Sequence, residues 1–357
     1  MMTTRQRFGE MLLKVFVVLV SLLLLGDCEP ARSVWAAESP QPLRLGIIGL
    51  DTSHVVAFTQ ALNQPDTADH VPGARVVAAY PEGSRDIESS VRRVPGYTKT
   101  LRELDVEIVP SIAAVISRVD AVMLESNDGR VHLEQAAPVL AAGKPLFIDK
   151  PMAASLADVM AIFELARHHG TPVFSSSCLR YGESTQAVRR GTIGAVLGCD
   201  IYSPDVIEAT HPDFFWYGIH GCEALFTAMG TGCESVSCTR GSAGDCVTGR
   251  WKNGRIGTFR GLRDGKRGYG GTAFGSEQIM TSGENPGYRP LVVEIIRFFQ
   301  TGKPPVAPEE TLEIFAFMEA AGESRDSGGG SVRLAEIFAR AEGEKQRRLQ
   351  PYLAPKK

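Results

Sequence analysis

The chain has 357 residues, 43% hydrophobic and 22% charged, an ordinary globular composition with length for about two domains. A net charge of -3 supplies no basic field for a phosphate backbone or an anionic membrane surface. Nucleic acid is therefore excluded as the expected partner, and a small molecule is favoured.

The first segment stands apart from the rest. Arg5, Arg7 and Lys14 precede an uncharged run from Val15 to Gly26, shorter than the roughly 20 residues a spanning helix needs. Small residues follow at Ala36 and Ala37, so residues 1–37 read as a signal peptide. The protein is expected to be exported, to the periplasm or beyond, with no membrane attachment after cleavage; an uncleaved anchor is the alternative. Arg5-Gln6-Arg7 lacks an adjacent arginine pair, which leaves the export route open. Cleavage removes Cys28 and leaves Cys178, Cys199, Cys222, Cys233, Cys238 and Cys246 in a compartment that permits disulfides. None of their spacings is C-x-x-C, and no metal site is expected.

From Leu43 to about Phe174, short apolar runs alternate with helical stretches, the pattern of parallel βαβ construction. Strands are expected at 44–50, 74–80, 107–109, 121–125, 145–148 and 172–175, and helices at 53–63, 111–117, 131–142 and 155–169. Gly143 and Gly170 stand where helix ends favour glycine. After Cys178 the texture becomes glycine-rich and strand-like, as in 248–251 and 256–260, which predicts an antiparallel sheet. Amphipathic helices at 290–301 and 308–321, a flexible 327–331 and a charged helix at 334–349 complete the chain. The expected fold class is α/β: a doubly wound parallel Rossmann sheet over 43–176, an α+β domain with a mostly antiparallel open sheet over 177–330, and a helical tail over 331–357.

Arg44 to Leu50 is a buried strand running into a turn and helix, where a Rossmann domain sets a pyrophosphate against a helix N-terminus. With Gly49 as first glycine, the next two fingerprint positions hold Asp51 and His54. Asp51, Thr52 and Ser53 either cap the helix or meet a phosphate. Strand two ends in Tyr80-Pro81-Glu82-Gly83-Ser84-Arg85, where Glu82 suits an adenosine ribose and Arg85 a 2'-phosphate. The choice between NAD and NADP stays open, and both charges could equally be solvated loop residues.

The most specific stretch runs from Glu125-Ser126-Asn127 through His132 to Gly143-Lys144 and Asp149-Lys150-Pro151. In order and spacing it resembles the Gfo/Idh/MocA family (glucose-fructose oxidoreductase and inositol dehydrogenase), where the turn after strand four reads roughly Thr-Pro-Asn. There a histidine follows five residues later, and Glu-Lys-Pro ends strand five. The resemblance implies an NAD(P)-dependent oxidoreductase in which Lys150 lies by the nicotinamide and a substrate hydroxyl. Asp149, standing for the family's glutamate, would orient Lys150 or touch the cofactor, as Asn127 would. It also implies a homo-oligomer, dimer or tetramer, paired through the second sheet.

Arg180 follows strand six where the family often directs an arginine to the site, although an interface ion pair is an equal reading. His211 to Glu223 resembles the family's second catalytic segment, an aspartate four residues before a histidine. His220 matches, and Trp216 stands in the aspartate's place. Asp213 and Glu223 lie near the same helical face, and Arg180, Asp213, Trp216, His220 and Glu223 form the expected substrate set. The resulting expectation is hydride transfer with a sugar, cyclitol or related polyol, with Lys150 and His220 as acid-base groups. The alternative is a non-redox member, either a lyase or hydrolase using a retained cofactor transiently or a carbohydrate-binding protein.

Overall fold

The computed structural model describes residues 41–353; the leader segment and Cys28 lie outside the described residues. Strands β1 (Leu43–Ile48), β2 (Ala74–Tyr80), β3 (Glu107–Ile108), β4 (Ala121–Leu124), β5 (Leu146–Ile148) and β6 (Val173–Ser175) make one sheet. Its order is β3-β2-β1-β4-β5-β6, with every pair parallel. Helices α1 (Ser53–Asn63), α2 (Glu88–Glu103), α3 (Ile112–Ile116), α4 (His132–Ala141) and α5 (Leu156–His169) alternate with the strands. Adjacent strand residues such as Leu45, Val122, Met123, Phe147 and Ile148 are all buried. A parallel sheet covered on both faces requires this, which is why these strands read as unbroken apolar runs.

Three helices start on side-chain caps: Thr52, Ser111 and Ser155 accept from the backbone N–H of His54, Ala114 and Asp158. Of the cap candidates in the first turn, the structure selects Thr52. Helix α5 ends at Gly170 in the left-handed region, φ 65°. Helix α2 is absent from the sequence expectation. It contains Pro95 and Gly96, which read as breakers, and it buries only Ser90, Thr98 and Leu101, too sparse a stripe for periodicity.

A 3-10 turn (Cys178–Tyr181) and α6 (Glu183–Arg189) lead to β7 (Val196–Pro204), and a π-helical turn (Phe214–Gly218) runs into α7 (Ile219–Met229). There follow β8 (Cys233–Gly241), β9 (Gly244–Trp251), β10 (Ile256–Leu262), β11 (Gly270–Gly275) and β12 (Ile279–Thr281). Helices α8 (Arg289–Thr301) and α9 (Pro308–Asp326), strand β13 (Val332–Arg333) and helix α10 (Leu334–Leu353) close the chain. The second sheet has the order β12-β11-β7-β10-β9-β8-β13 and is antiparallel except between β7 and β10. Its inner face, with Ile201, Val247, Trp251 and Phe259 buried, packs on α7 and α9.

The last third of the chain crosses back to the first sheet. Tyr288, just before α8, meets the rings of His54 and Phe58 at 4.7 and 5.8 Å, and Phe298 packs on Phe174 at 4.8 Å. Helix α10 lies along α5 and buries Leu334, Ile337, Ala341 and Leu349, so it is an integral layer rather than a tail. An apolar stripe announces that a helix has a partner without saying which one. Pro42–Lys357 is one compact unit. Among the described residues all six cysteines are free thiols, and no helix is long and apolar enough to cross a membrane.

Candidate active site

Strand order reverses where β1 lies between β2 and β4, and the turns beyond those strand ends form the crevice in which such sheets bind ligands. Gly49 has φ 87°, and a Cβ there would stand 2.3 Å from Ser126 Oγ and 2.4 Å from its backbone nitrogen. Only glycine lets the two turns touch. Two cavities flank the contact. One, of about 880 Å³, is lined by Tyr80, Glu82, Ser84, Arg85, Ser111 and Asp128. The other, of about 440 Å³, is lined by Thr52, Ser53, His54, Asn127, Lys150 and His220, with Trp216, Tyr217, Tyr269 and Tyr288 among its walls.

Asp51 turns away from both cavities. Fully buried, it accepts from Ser90 Oγ at 2.7 Å and from the backbone N–H of Asn127 at 2.8 Å. Burial pushes its carboxyl above the ordinary range, against the lowering effect of those two donors. Asp51, expected to cap the helix or meet a phosphate, is thus a brace joining three segments, not a cavity group. Asp128, unremarked in the sequence, is a second brace. It accepts from Arg130 and Ser84 and lies 3.2 Å from His211 Nε2, tying the turn after β4 to the second sheet's domain. Burial would raise its carboxyl, but His211, Arg130 and Ser84 hold it well below the carboxylate range.

His132 bridges the carbonyls of Ser126 and Met152 at 2.7 and 3.1 Å, locking the turn after β4 to the residues beyond Lys150. Lys150 itself is 6% exposed, follows the end of β5, and sits over the Tyr217 ring at 5.8 Å from its centroid. The Lys150-Pro151 peptide is cis. Its neighbour Asp149 accepts from His54 Nδ1 at 2.7 Å; burial raises the Asp149 carboxyl, yet His54 and Lys150 outweigh it and leave it low. Beside it Glu125, wholly buried, is pushed well above the carboxylate range by burial and then by Asp149.

His220 reaches the smaller cavity from α7. Ser177 Oγ lies 2.6 Å from its Nδ1 and also accepts from the N–H of Leu179 at 3.2 Å, so the hydroxyl proton is directed at Nδ1. Burial, then the nearby Lys150, holds His220 well below its ordinary value, so the ring is neutral. The neutral ring with Nδ1 accepting carries its proton on Nε2.

Three expected substrate residues face elsewhere. Arg180, 2% exposed, donates to Glu223 and Glu310 at 2.7 Å each, so it is a buried ion-pair centre and does not reach the cavity. Glu223 spends its oxygens on Arg180, Ser176 Oγ and the Ser177 N–H. Asp213 pairs with Arg325. Arg180 thus takes the ion-pair alternative; helical phase placed Asp213 near His220 without telling how the π-helical turn between them rotates it, and Glu223, on the same helix as His220, turns to Arg180. Tyr217, Tyr269, Tyr288 and Asn285 line the cavity instead, from three distant segments that no local pattern connects.

Residues 43–177 match the family model described as "Oxidoreductase family, NAD-binding Rossmann fold". The inositol 2-dehydrogenase of Burkholderia cenocepacia is 29% identical over 167 residues, 43% of this chain and 44% of that protein, and that of Burkholderia vietnamiensis matches equally. The chain thus spans less than half the length of the curated relatives it matches. Among solved structures, a probable dehydrogenase from Thermotoga maritima superposes with a TM-score of 0.68 at 21% identity, covering 83% of this chain and all of that one, 100%. The scyllo-inositol dehydrogenase of Lactobacillus casei, solved with NAD(H) and scyllo-inositol, gives 0.67 at 16% identity, with 83% and 100% covered. Both share the fold. The likeness to the Gfo/Idh/MocA oxidoreductase family rests on residues 43–177, the Rossmann domain that its model matches.

Proposed function

We propose that this protein is an NAD(P)-dependent oxidoreductase acting on a sugar, cyclitol or related polyol. One observation carries the reading: Lys150 and His220 converge on the cavity that the α1 N-terminus also lines, so proton-moving groups and a phosphate-favouring helix end share one space. The residues present fit a dinucleotide. Glu82 and Arg85 line the larger cavity, suited to the adenosine half, while Thr52 and Ser53, with Arg93 close by, line the smaller. A bound nicotinamide would supply the hydride acceptor. In this reading the Nε2–H of His220 holds a substrate oxygen, and Lys150 Nζ exchanges that oxygen's proton as hydride leaves the carbon. Tyr217 and Trp216 give a sugar ring apolar faces to rest against.

Asp51 favours a second reading, in which the protein binds a sugar-like ligand without redox chemistry. In place of the second fingerprint glycine, which would let the backbone approach a pyrophosphate, it ties β1's turn to Asn127 and α2. Purified protein separates the two: nicotinamide released on denaturation, or a fluorescence change on titration with NADH or NADPH, supports the first, and absence of both refutes it. Export and a homo-oligomeric state are further proposals, tested by the mass of the mature N-terminus and by light scattering. Tyr202, Ile256, Phe274 and Ile279, exposed on the outer face of the second sheet, support pairing there.

A further inference from the structure

Three groups at the strand ends stand out beneath Lys150. Glu125 follows β4, Asp149 follows β5 and His54 opens α1, and each offers a ligand atom such that the three lie within 4.8 Å of one another. Their exposures are 0%, 1% and 7%. Both oxygens of Glu125 and Oδ1 of Asp149 have no hydrogen-bond partner. A buried carboxylate without donors is strongly disfavoured. A single shared proton would satisfy Asp149 Oδ1 and one oxygen of Glu125, and would still leave the other Glu125 oxygen unpaired. A cation facing all three groups satisfies them together.

We infer that His54, Glu125 and Asp149 form a binding site for one divalent transition-metal ion, zinc or manganese. Two carboxylates balance the charge of the ion, and an imidazole nitrogen disfavours magnesium and calcium, which prefer all-oxygen shells. His54 Nδ1 and Asp149 Oδ2 lie 2.7 Å apart, closer than the roughly 3.3 Å between neighbouring ligands in a tetrahedral zinc shell. Metal entry therefore replaces that hydrogen bond, displaces its proton and spreads the pair by about half an ångström. Three protein ligands leave a further position for water or another donor, and of the three groups His54 also lines the smaller cavity. The site goes beyond the oxidoreductase reading and does not depend on it.

The test uses the full chain, stripped with a chelator and dialysed against zinc or manganese, with magnesium as comparator, and metal counted by mass spectrometry. The wild type is expected to retain one zinc or manganese per chain and no magnesium. Glu125→Gln and His54→Gln are expected to bind about tenfold more weakly or worse. Melting curves guard against misfolding, because metal should raise the midpoint of the wild type more than those of the variants. Cobalt gives a separate readout: visible d–d bands in the wild type, lost in His54→Gln. A wild type that retains neither zinc nor manganese above the magnesium background overturns the site, as does a folded Glu125→Gln that retains as much as the wild type.

Discussion

Replacing Arg180 by Met separates the buried ion-pair role from a reach into the cavity. The guanidinium stands between Glu223 and Glu310, 2.7 Å from each, and the three side chains are at most 6% exposed. Met keeps most of the volume but removes the shared cation, leaving Glu223 with Ser176 and the Ser177 N–H and Glu310 with Arg189, and breaking a buried pair from one side costs about 3–5 kcal/mol. At roughly 2–4 °C per kcal/mol, the midpoint should fall on the order of 10 °C. The two acids start from opposite positions. Burial raises Glu223 despite Arg180, whereas at Glu310 burial is outweighed by Arg180 together with Arg189, which pairs with it at 2.8 Å. Without Arg180 both rise. A carboxyl whose folded value lies above its unfolded value binds protons more readily when folded, so its stabilising contribution is present at acid pH and lost as pH rises. The gap between wild type and Arg180→Met should therefore be widest near about pH 8 and shrink toward about pH 5. Urea melts across that range measure it. A gap below about 1 kcal/mol, the level of an exposed pair, or one independent of pH, would refute the buried-centre argument.

Gly49→Ala should cost about 1–2 kcal/mol for the left-handed backbone alone and more for displacing Ser126, so a melt indistinguishable from wild type would contradict the contact between the turns. Ser177→Ala should free the Nδ1 of His220; nitrogen NMR should show a changed tautomer population, and turnover on a polyol should drop about 10²-fold, as on loss of one preorganised donor. Asp51→Gly should lose about 1–3 kcal/mol of stability, since Ser90 and the Asn127 N–H lose their acceptor, while tightening dinucleotide binding; weaker binding would show that Asp51 supports the cofactor turn. Lys150→Ala should abolish turnover and leave cofactor bound, and loss of cofactor instead would give Lys150 a structural role.

The parallel sheet was legible because strands buried on both faces announce themselves as apolar runs, and β2 and α1 were bounded to the residue. Lys150 was legible because its motif is contiguous. Arg180 takes the ion-pair alternative, and Asp213 and Glu223 turn to Arg325 and Arg180, because a sequence gives the height of a side chain along an element but not the partner it meets. For Asp213, the five-residue π-helical turn between it and α7 changes its phase relative to His220 as well. The cavity's tyrosines come from positions 217, 269 and 288, whose meeting depends on how the second sheet and α8 fold back over α1.

Taken one at a time, the departures from the family's pattern read as losses: Asp51 and His54 for glycines, Glu125 for threonine, Asp149 for glutamate. In space they are one set. Asp51 holds the turn that follows Glu125, His54 binds Asp149, and Asp149 and Glu125 share the same buried space at adjacent strand ends. Returning His54 alone to glycine would strip Asp149 of its donor, and returning Asp51 alone would leave the Asn127 N–H unpaired, so each change is harmful unless the others accompany it. Such coupling is what groups sharing one buried space and one hydrogen-bond network are expected to show. Double-mutant cycles between positions 54 and 149 should give an interaction energy of about 1 kcal/mol or more, and simple additivity there would reduce the set to unrelated substitutions.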